Sequence, residues 1–228
     1  MVPRVPILYY ITDRKALAAD ELTRRRRILG KIAEATRAGV DYIQLREKDL
    51  GSRELESLAR DAVRAIWEAN QLASGHRTRT TALLINSRTD FAIAAGADGV
   101  HLRSQDITPQ EVRTIWKQAR TEGAGISRPP LIGVSCHSIT EVKQAEANGA
   151  TFAVFAPVFE KKDAPGTHPA GLNKLSEACR AKIPVLALGG ITLANARACL
   201  SAGAAGIAAI RLFQENDISE VAATLRSP

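Results

Sequence analysis

AGVDYIQLR, running from Ala38 to Arg46, decides the fold. An Ala-Gly pair, a short link and a β-run ending on a basic side chain read as one element closing and the next opening. Glycine there is free to take the left-handed conformation that caps a helix. The same pattern returns as AGADGVHLR from Ala95, NGATFAVFA from Asn148 and AGAAGIAAI from Ala202. The copies lie roughly 55 residues apart, too long for one supersecondary unit and right for two βα units.

Between the copies lie four further strand candidates, Ile7–Thr12, Ala82–Asn86, Leu131–Cys136 and Pro184–Gly189. With the four repeats they make eight strands in chain order. Leu55, Leu58, Ala59, Ala62, Val63 and Ile66 recur at helical spacing and form one apolar stripe. Val142, Ala145 and Ala147 do so more weakly. Runs such as PVLALGG are continuously apolar, as befits strands covered on both faces. Eight alternating β and α units without a linker or low-complexity segment predict one domain over residues 1–228, a (β/α)8 TIM barrel. The alternative, a doubly wound open sheet, lacks support because no GxGxxG follows a strand.

The chain has 228 residues, 45% of them apolar, enough for a large core. No apolar run approaches the roughly 20 residues of a membrane span, so no membrane partner is expected. The start, MVPRVPILYYITDR, lacks the apolar segment and cleavage site of a signal peptide. Cys136, Cys179 and Cys199 form no CxxC pair and read as reduced thiols in a cytoplasmic protein. The net charge is +7, with a run of arginines from Arg24 to Arg27. That run opens an amphipathic helix and reads as a solvated face. Aromatics, at 4%, are scarce for stacking on bases, and no nucleic-acid partner is expected. A basic chain also suits small phosphorylated substrates. Assembly into a homo-oligomer is left open by the sequence.

In such a barrel the active site lies at the C-terminal strand ends. Those ends are Gln44-Leu45-Arg46-Glu47-Lys48, Asn86-Ser87-Arg88, His101 running toward Asp106, Ser135-Cys136-His137, Glu160-Lys161-Lys162-Asp163, Gly189-Gly190 and Ile210-Arg211. Arg46 and Lys48 alternate in register and suit a diphosphate on one side of the strand end. The competing reading is a surface ion-pair network among Arg46, Glu47 and Lys48. Gly189-Gly190, followed by Ile191-Thr192 and a helix, reads as a phosphate site to which Arg211 adds a cation. The charged loop EKKDAPGTHPAG reads as a lid, with a merely solvated loop as the alternative. His137 is placed for acid–base work, while Ser138 caps the next helix. His101, inside a strand, and His76, in a polar loop, read as structural or exposed; His168 has no assigned place. No His/Cys/carboxylate group has zinc-site spacing.

Taken together, YIQLREK, LLINSRTDFAIAAGADGVHL, IGVSCHS, FAPVFEKKDAPG and LALGGIT resemble the thiamine phosphate synthase family and its relative, thiazole tautomerase. The likeness runs from about Tyr9 to Phe213. It implies a synthase in which a hydroxymethylpyrimidine diphosphate loses pyrophosphate and a thiazole phosphate captures the carbocation. The resemblance places Gln44, Arg46, Lys48 and Asn86 on the pyrimidine diphosphate, Ser135 near the pyrimidine, and Lys161 on the pyrophosphate. Gly190, Ile210 and Arg211 fall to the thiazole phosphate. It also implies Mg2+, with Asp106 as a ligand.

The chain departs from the family at several of these places. Synthases usually read Asn-Asp after strand 3, where this chain has Asn86-Ser87; LRSQD stands for Gly-Gln-Glu-Asp, with Arg103 at the glycine. The lid lacks the usual Thr-containing segment, and Arg211 replaces a serine. The tautomerases also have a small residue at the strand-3 position and use a histidine matching His137 for proton transfer, without metal. QLREK and the lid lysines favour the synthase, with Arg88 and Arg103 as candidates to replace metal charge. Two other classes stay open. One is another phosphate-handling barrel isomerase using Asp13 as its acid–base group, and the other is a non-catalytic thiazole-phosphate binder.

Overall fold

The computed structural model describes residues 5–72, 80–125, 127–160 and 168–227. Eight parallel strands pair in chain order: β1 (Ile7–Ile11), β2 (Tyr42–Leu45), β3 (Ala82–Asn86), β4 (Gly99–Leu102), β5 (Leu131–Cys136), β6 (Phe152–Phe155), β7 (Val185–Ala187) and β8 (Gly206–Ala209). Leu8 then pairs with Ile207 and Tyr9 with Ala208, closing the sheet into a barrel and excluding the open-sheet alternative. Helices α1 (Glu21–Ala38), α2 (Ser52–Leu72), α3 (Thr89–Ala95), α4 (Pro109–Thr121), α5 (Ile139–Ala147), α6 (Gly171–Ala178) and α7 (Leu193–Ser201) follow successive strands. The short α8 (Arg211–Gln214) and α9 (Ile218–Arg226) follow β8.

The fourfold repeat has a physical basis. Gly39, Gly96, Gly149 and Gly203 all take positive φ, as the Ala/Asn-Gly pairs predict. Two residues beyond each glycine, Asp41, Asp98, Thr151 and Ala205 donate their backbone N–H to Leu8, Leu83, Ile132 and Val185. Three of them also accept through the side chain. Leu8 N donates to Asp41 Oδ2 at 2.9 Å, Leu83 N to Asp98 Oδ2 at 2.8 Å, and Ile132 N to Thr151 Oγ1 at 3.0 Å. Each repeat thus fastens the start of an even-numbered strand to the odd-numbered strand before it. Asp41 also holds Arg226 at 2.9 Å, which ties α9 to the base of the barrel.

Two cores result. Between strands and helices, α2 buries Leu55, Leu58, Ala59, Ala62 and Ile66 with Val63 at its edge, and α5 buries Val142 and Ala145. Ala147 is exposed, because it lies off that stripe at the helix end. Inside the barrel, Tyr42 stacks on Phe152 with ring centroids 5.1 Å apart, and Tyr9 meets Phe152 edge-on at 5.5 Å. These rings plug the barrel below the strand ends. Strand β7 is shorter than its sequence suggests, since Gly189 and Gly190 turn away with φ of 99° and 65°.

Of the arginine run, Arg25 donates to Ser57 and Asp61 on α2, Arg24 to Ala18 O, and Arg27 to Leu17 O. These bonds hold α1 to its surroundings. Among the described residues no helix is long and apolar enough to cross a membrane.

Candidate active site

Side chains alternate along a strand, so Gln44 shares the interior face with Tyr42, Asn86 with Leu84, and Ser135 with Leu131. The strand register sets Asn86 beside His101 and His101 beside Gly133. A polar layer therefore sits directly above the aromatic plug. The Tyr9 hydroxyl donates weakly to Gln44 Oε1 at 3.4 Å, and Gln44 Nε2 donates to Asn86 Oδ1 at 2.8 Å. Asn86 Nδ2 donates to Ser87 Oγ at 3.1 Å, and the Ser87 side chain helps to lower the pKa of Asp106. A second branch runs from the Tyr9 hydroxyl to His101 Nδ1 at 3.0 Å and from His101 Nε2 to Ser135 Oγ at 2.8 Å.

Reading His101 as structural accounts for only part of its place. It is buried, yet it touches Ser135, one of the expected site residues. Burial, and then the charge of Arg46, push its pKa down to about 3 against the opposing pull of Asp106. At neutral pH one ring nitrogen therefore donates and the other accepts. Its place in strand register, beside Asn86 and Gly133, is the signal that the reading of it as structural passed over.

Arg46 and Lys48 follow the end of β2, Lys48 in a turn rather than in strand register; Arg46 is half-buried and Lys48 exposed. The charge of Arg46, then burial, then the charge of Arg103 lower the Lys48 pKa. Glu47 takes no part in this group. It is buried on the opposite side, where it accepts from Thr12 Oγ1 at 2.6 Å and Arg14 N at 3.1 Å. Burial pushes the Glu47 carboxyl up to about 7 despite those bonds. Arg14 is itself 2% exposed and bonds Glu21 and Asp49. No periodicity marked it, because its partners are far apart in the chain.

After β4, Arg103 N donates to Asp106 Oδ2 at 2.8 Å, and its guanidinium Nη2 donates to Oδ1 at 2.9 Å. Burial raises the Asp106 pKa, but bonds from Arg103 and Ser87 outweigh it and the net shift is downward. Arg88, the other candidate to replace metal charge, is placed differently. It grips Asp90 with bonds of 2.9 and 2.6 Å and lies 3.5 Å over the Phe91 ring. That local pairing turns it toward α3.

After β5, the His137 ring donates from Nδ1 to Ala156 O at 2.8 Å, which leaves Nε2 as its accepting nitrogen when neutral. Ser138 caps α5 by accepting from Glu141 N at 3.1 Å, as expected. Gly190 lies against the preceding βα loop: a Cβ there would fall 2.4 Å from Glu160 O and 2.8 Å from Phe159 Cβ. Asn195 then accepts from Thr192 N at 2.8 Å and donates to Gly190 O at 3.0 Å, fixing the turn into α7. Ile210 and Arg211, both half-buried, open α8 at the neighbouring strand end. Lys161, Lys162, Asp163 and His76 lie outside the described residues, as does most of the loop read as a lid. His168 is exposed.

The donor set fits Mg2+ poorly. Mg2+ is ordinarily held by one or two carboxylates with water and substrate phosphate. Here Asp106, the expected carboxylate ligand, is already bonded by a guanidinium, and Ser87 is neutral. Among the described residues no group of three or more His, Cys, Asp or Glu side chains forms a metal cluster.

The thiamine monophosphate synthase family matches residues 8–213. A thiamine-phosphate synthase of Roseiflexus castenholzii is 36% identical, covering 90% of this chain and 79% of its own. Its counterpart from Chlorobium luteolum is 35% identical over 97% of this chain and 91% of its own. Among solved structures, a thiamine phosphate pyrophosphorylase from Pyrococcus furiosus superposes with a TM-score of 0.75 at 28% identity, covering 98% of this chain and 95% of that one. With a family match over nearly the whole barrel and the polar mouth in place, the chain belongs to the thiamine monophosphate synthase family.

Proposed function

We propose that the chain is a thiamine phosphate synthase, joining hydroxymethylpyrimidine diphosphate to a thiazole phosphate. The carbon–oxygen bond to the diphosphate breaks with its electron pair leaving on pyrophosphate. The thiazole nitrogen lone pair then forms the new carbon–nitrogen bond. Such a step depends on fixed charge near the leaving group. One observation carries this reading: Gln44 and Asn86 are hydrogen-bonded to each other at 2.8 Å, between the cationic strand end of Arg46 and Lys48 and the His101–Ser135 pair.

In this reading Gln44, Arg46, Lys48 and Asn86 hold the pyrimidine diphosphate, with Ser135 against the ring and Lys161 reaching the pyrophosphate. Gly190, Ile210 and Arg211 hold the thiazole phosphate. The thiols of buried Cys136 and Cys199 and half-buried Cys179 are free, which supports a reducing cytoplasmic setting. The test supplies purified protein with both precursors and follows thiamine phosphate by mass spectrometry. Absence of product, with and without Mg2+, ends the synthase reading.

A second reading has its own observation. The Nδ1–H bond of His137 to Ala156 O leaves Nε2 of this exposed residue as the accepting nitrogen of the neutral ring, as a thiazole tautomerase would need. Solvent deuterium exchange into a thiazole carboxylate phosphate, lost in His137→Ala, separates this activity from coupling.

A further inference from the structure

We infer that the guanidinium of Arg103 takes the place of a divalent cation at the β4 end, so that pyrophosphate departure in this chain does not require Mg2+. The inference rests on the synthase reading above. Its basis is the way Asp106 is used. Oδ2 accepts from Arg103 N at 2.8 Å, and Oδ1 accepts from Nη2 at 2.9 Å and Nε at 3.2 Å. A carboxylate offers about four acceptor positions, and Arg103 alone occupies three of them. A hard cation binding Asp106 directly would have to take what is left and then sit against a guanidinium.

Ser87 Oγ accepts from Asn86 Nδ2 at 3.1 Å, and the Ser87 side chain helps to lower the Asp106 pKa. The polar chain from Gln44 therefore runs to the neighbourhood of the carboxylate that Arg103 grips. Asp106 is the more covered partner, its side chain 9% exposed against 61% for that of Arg103. An exposed fork held by a half-buried carboxylate is aimed without being covered. A guanidinium carries five N–H donors in a plane, of which Asp106 takes two, and the geometry suits phosphate oxygens. The charges of Arg46 and Arg103 both lower the Lys48 pKa, so Arg103 acts in a positive field. Arginine charge brought to a transferring or departing phosphate group is an effective substitute for solvent and ion.

The test compares the full-length wild type with Arg103→Gly and with the double variant Ser87→Asp/Arg103→Gly. Mn2+ binding, read by electron paramagnetic resonance, needs no turnover. Product formation from both precursors is measured in EDTA and in Mg2+. The wild type is expected to work at rates within about threefold in the two media, and Arg103→Gly to lose on the order of a hundredfold in EDTA. The double variant, with two carboxylates and no guanidinium, should bind Mn2+ at least about tenfold more tightly than the wild type and work only with metal. Wild-type activity abolished by EDTA and restored by Mg2+ overturns the inference while leaving the synthase reading intact. So does an undiminished rate for Arg103→Gly in EDTA, or Mn2+ binding by the wild type equal to the double variant's. A wild type inactive even with Mg2+ sinks the synthase reading and the metal-free chemistry with it.

Discussion

Nε2 of His101 lies 2.8 Å from the Ser135 hydroxyl, and Nδ1 of the same ring lies 3.0 Å from that of Tyr9. The imidazole thus connects the barrel's aromatic interior to its polar mouth. Because it is neutral and buried, it makes stability depend on pH. In the unfolded chain His101 protonates near 6.5, in the folded one only near 3, so unfolding takes up a proton between those values. Stability from this group is complete above about 6.5 and falls on acidification by about 1.4 kcal/mol per pH unit. The cost of His101→Asn is therefore greatest at neutral pH and shrinks toward pH 4, by urea unfolding. Glu47, raised to about 7, contributes the opposite slope between 4.5 and 7. It does so in both proteins and cancels in the difference. Parallel stability curves for wild type and variant would rule this account out.

Gly133 sits beneath that ring. A Cβ there would lie 2.5 Å from Phe152 Cζ and 2.8 Å from His101 Nδ1. Gly133→Ala is expected to cost about 1–3 kcal/mol by overpacking, with a change in the near-ultraviolet circular dichroism of the tyrosines. Phe152→Leu in the same chain should recover part of the loss. A single variant as stable as the wild type refutes the packing argument.

Gly190 distinguishes packing from ligand approach. Its φ of +65° and the 2.4 Å separation of a would-be Cβ from Glu160 O both act in the unliganded fold. Gly190→Ala should lower stability by about 2 kcal/mol, since the left-handed conformation alone costs 1–2 for a residue with Cβ. Differential scanning calorimetry checks it. If the melting temperature is unchanged and only the KM for thiazole phosphate rises, the glycine is there for the ligand alone.

Arg46 and Lys48 differ in what they offer a diphosphate. Arg46→Lys keeps the charge and loses the fork, so kcat/KM for the pyrimidine diphosphate should fall by about tenfold or more. The KM for the thiazole phosphate should hold, because that partner is assigned to the β7 and β8 ends. Steady-state kinetics with each substrate varied in turn decides this, and equal losses for both would break the assignment.

The repeat in the sequence carried the barrel. Ala-Gly punctuation and continuous apolar strands are local properties, and each glycine took the backbone conformation its position demanded. Strand ends followed within a residue or two, and with them the positions of Gln44, Arg46, Asn86, Ser135 and Gly190 at the mouth. Less legible were residues whose meaning depends on which partner claims them. Glu47 reads as part of a charged trio but bonds Thr12 and Arg14 across a strand pair. Arg88 reads as a site cation but is claimed by Asp90, two residues away.

What the sequence determined by itself was alternation: which elements form, in what order, and which side chains share a face, because backbone geometry fixes those from neighbours alone. Only the tertiary structure decided who bonds whom at the rim. Hydrogen bonds and ion pairs act over about 3 Å, and closing the barrel brings together groups from β2, β3, β4 and β5 that the chain keeps dozens of residues apart. That closure made His101 a neighbour of Ser135, and it set Gln44 against Asn86.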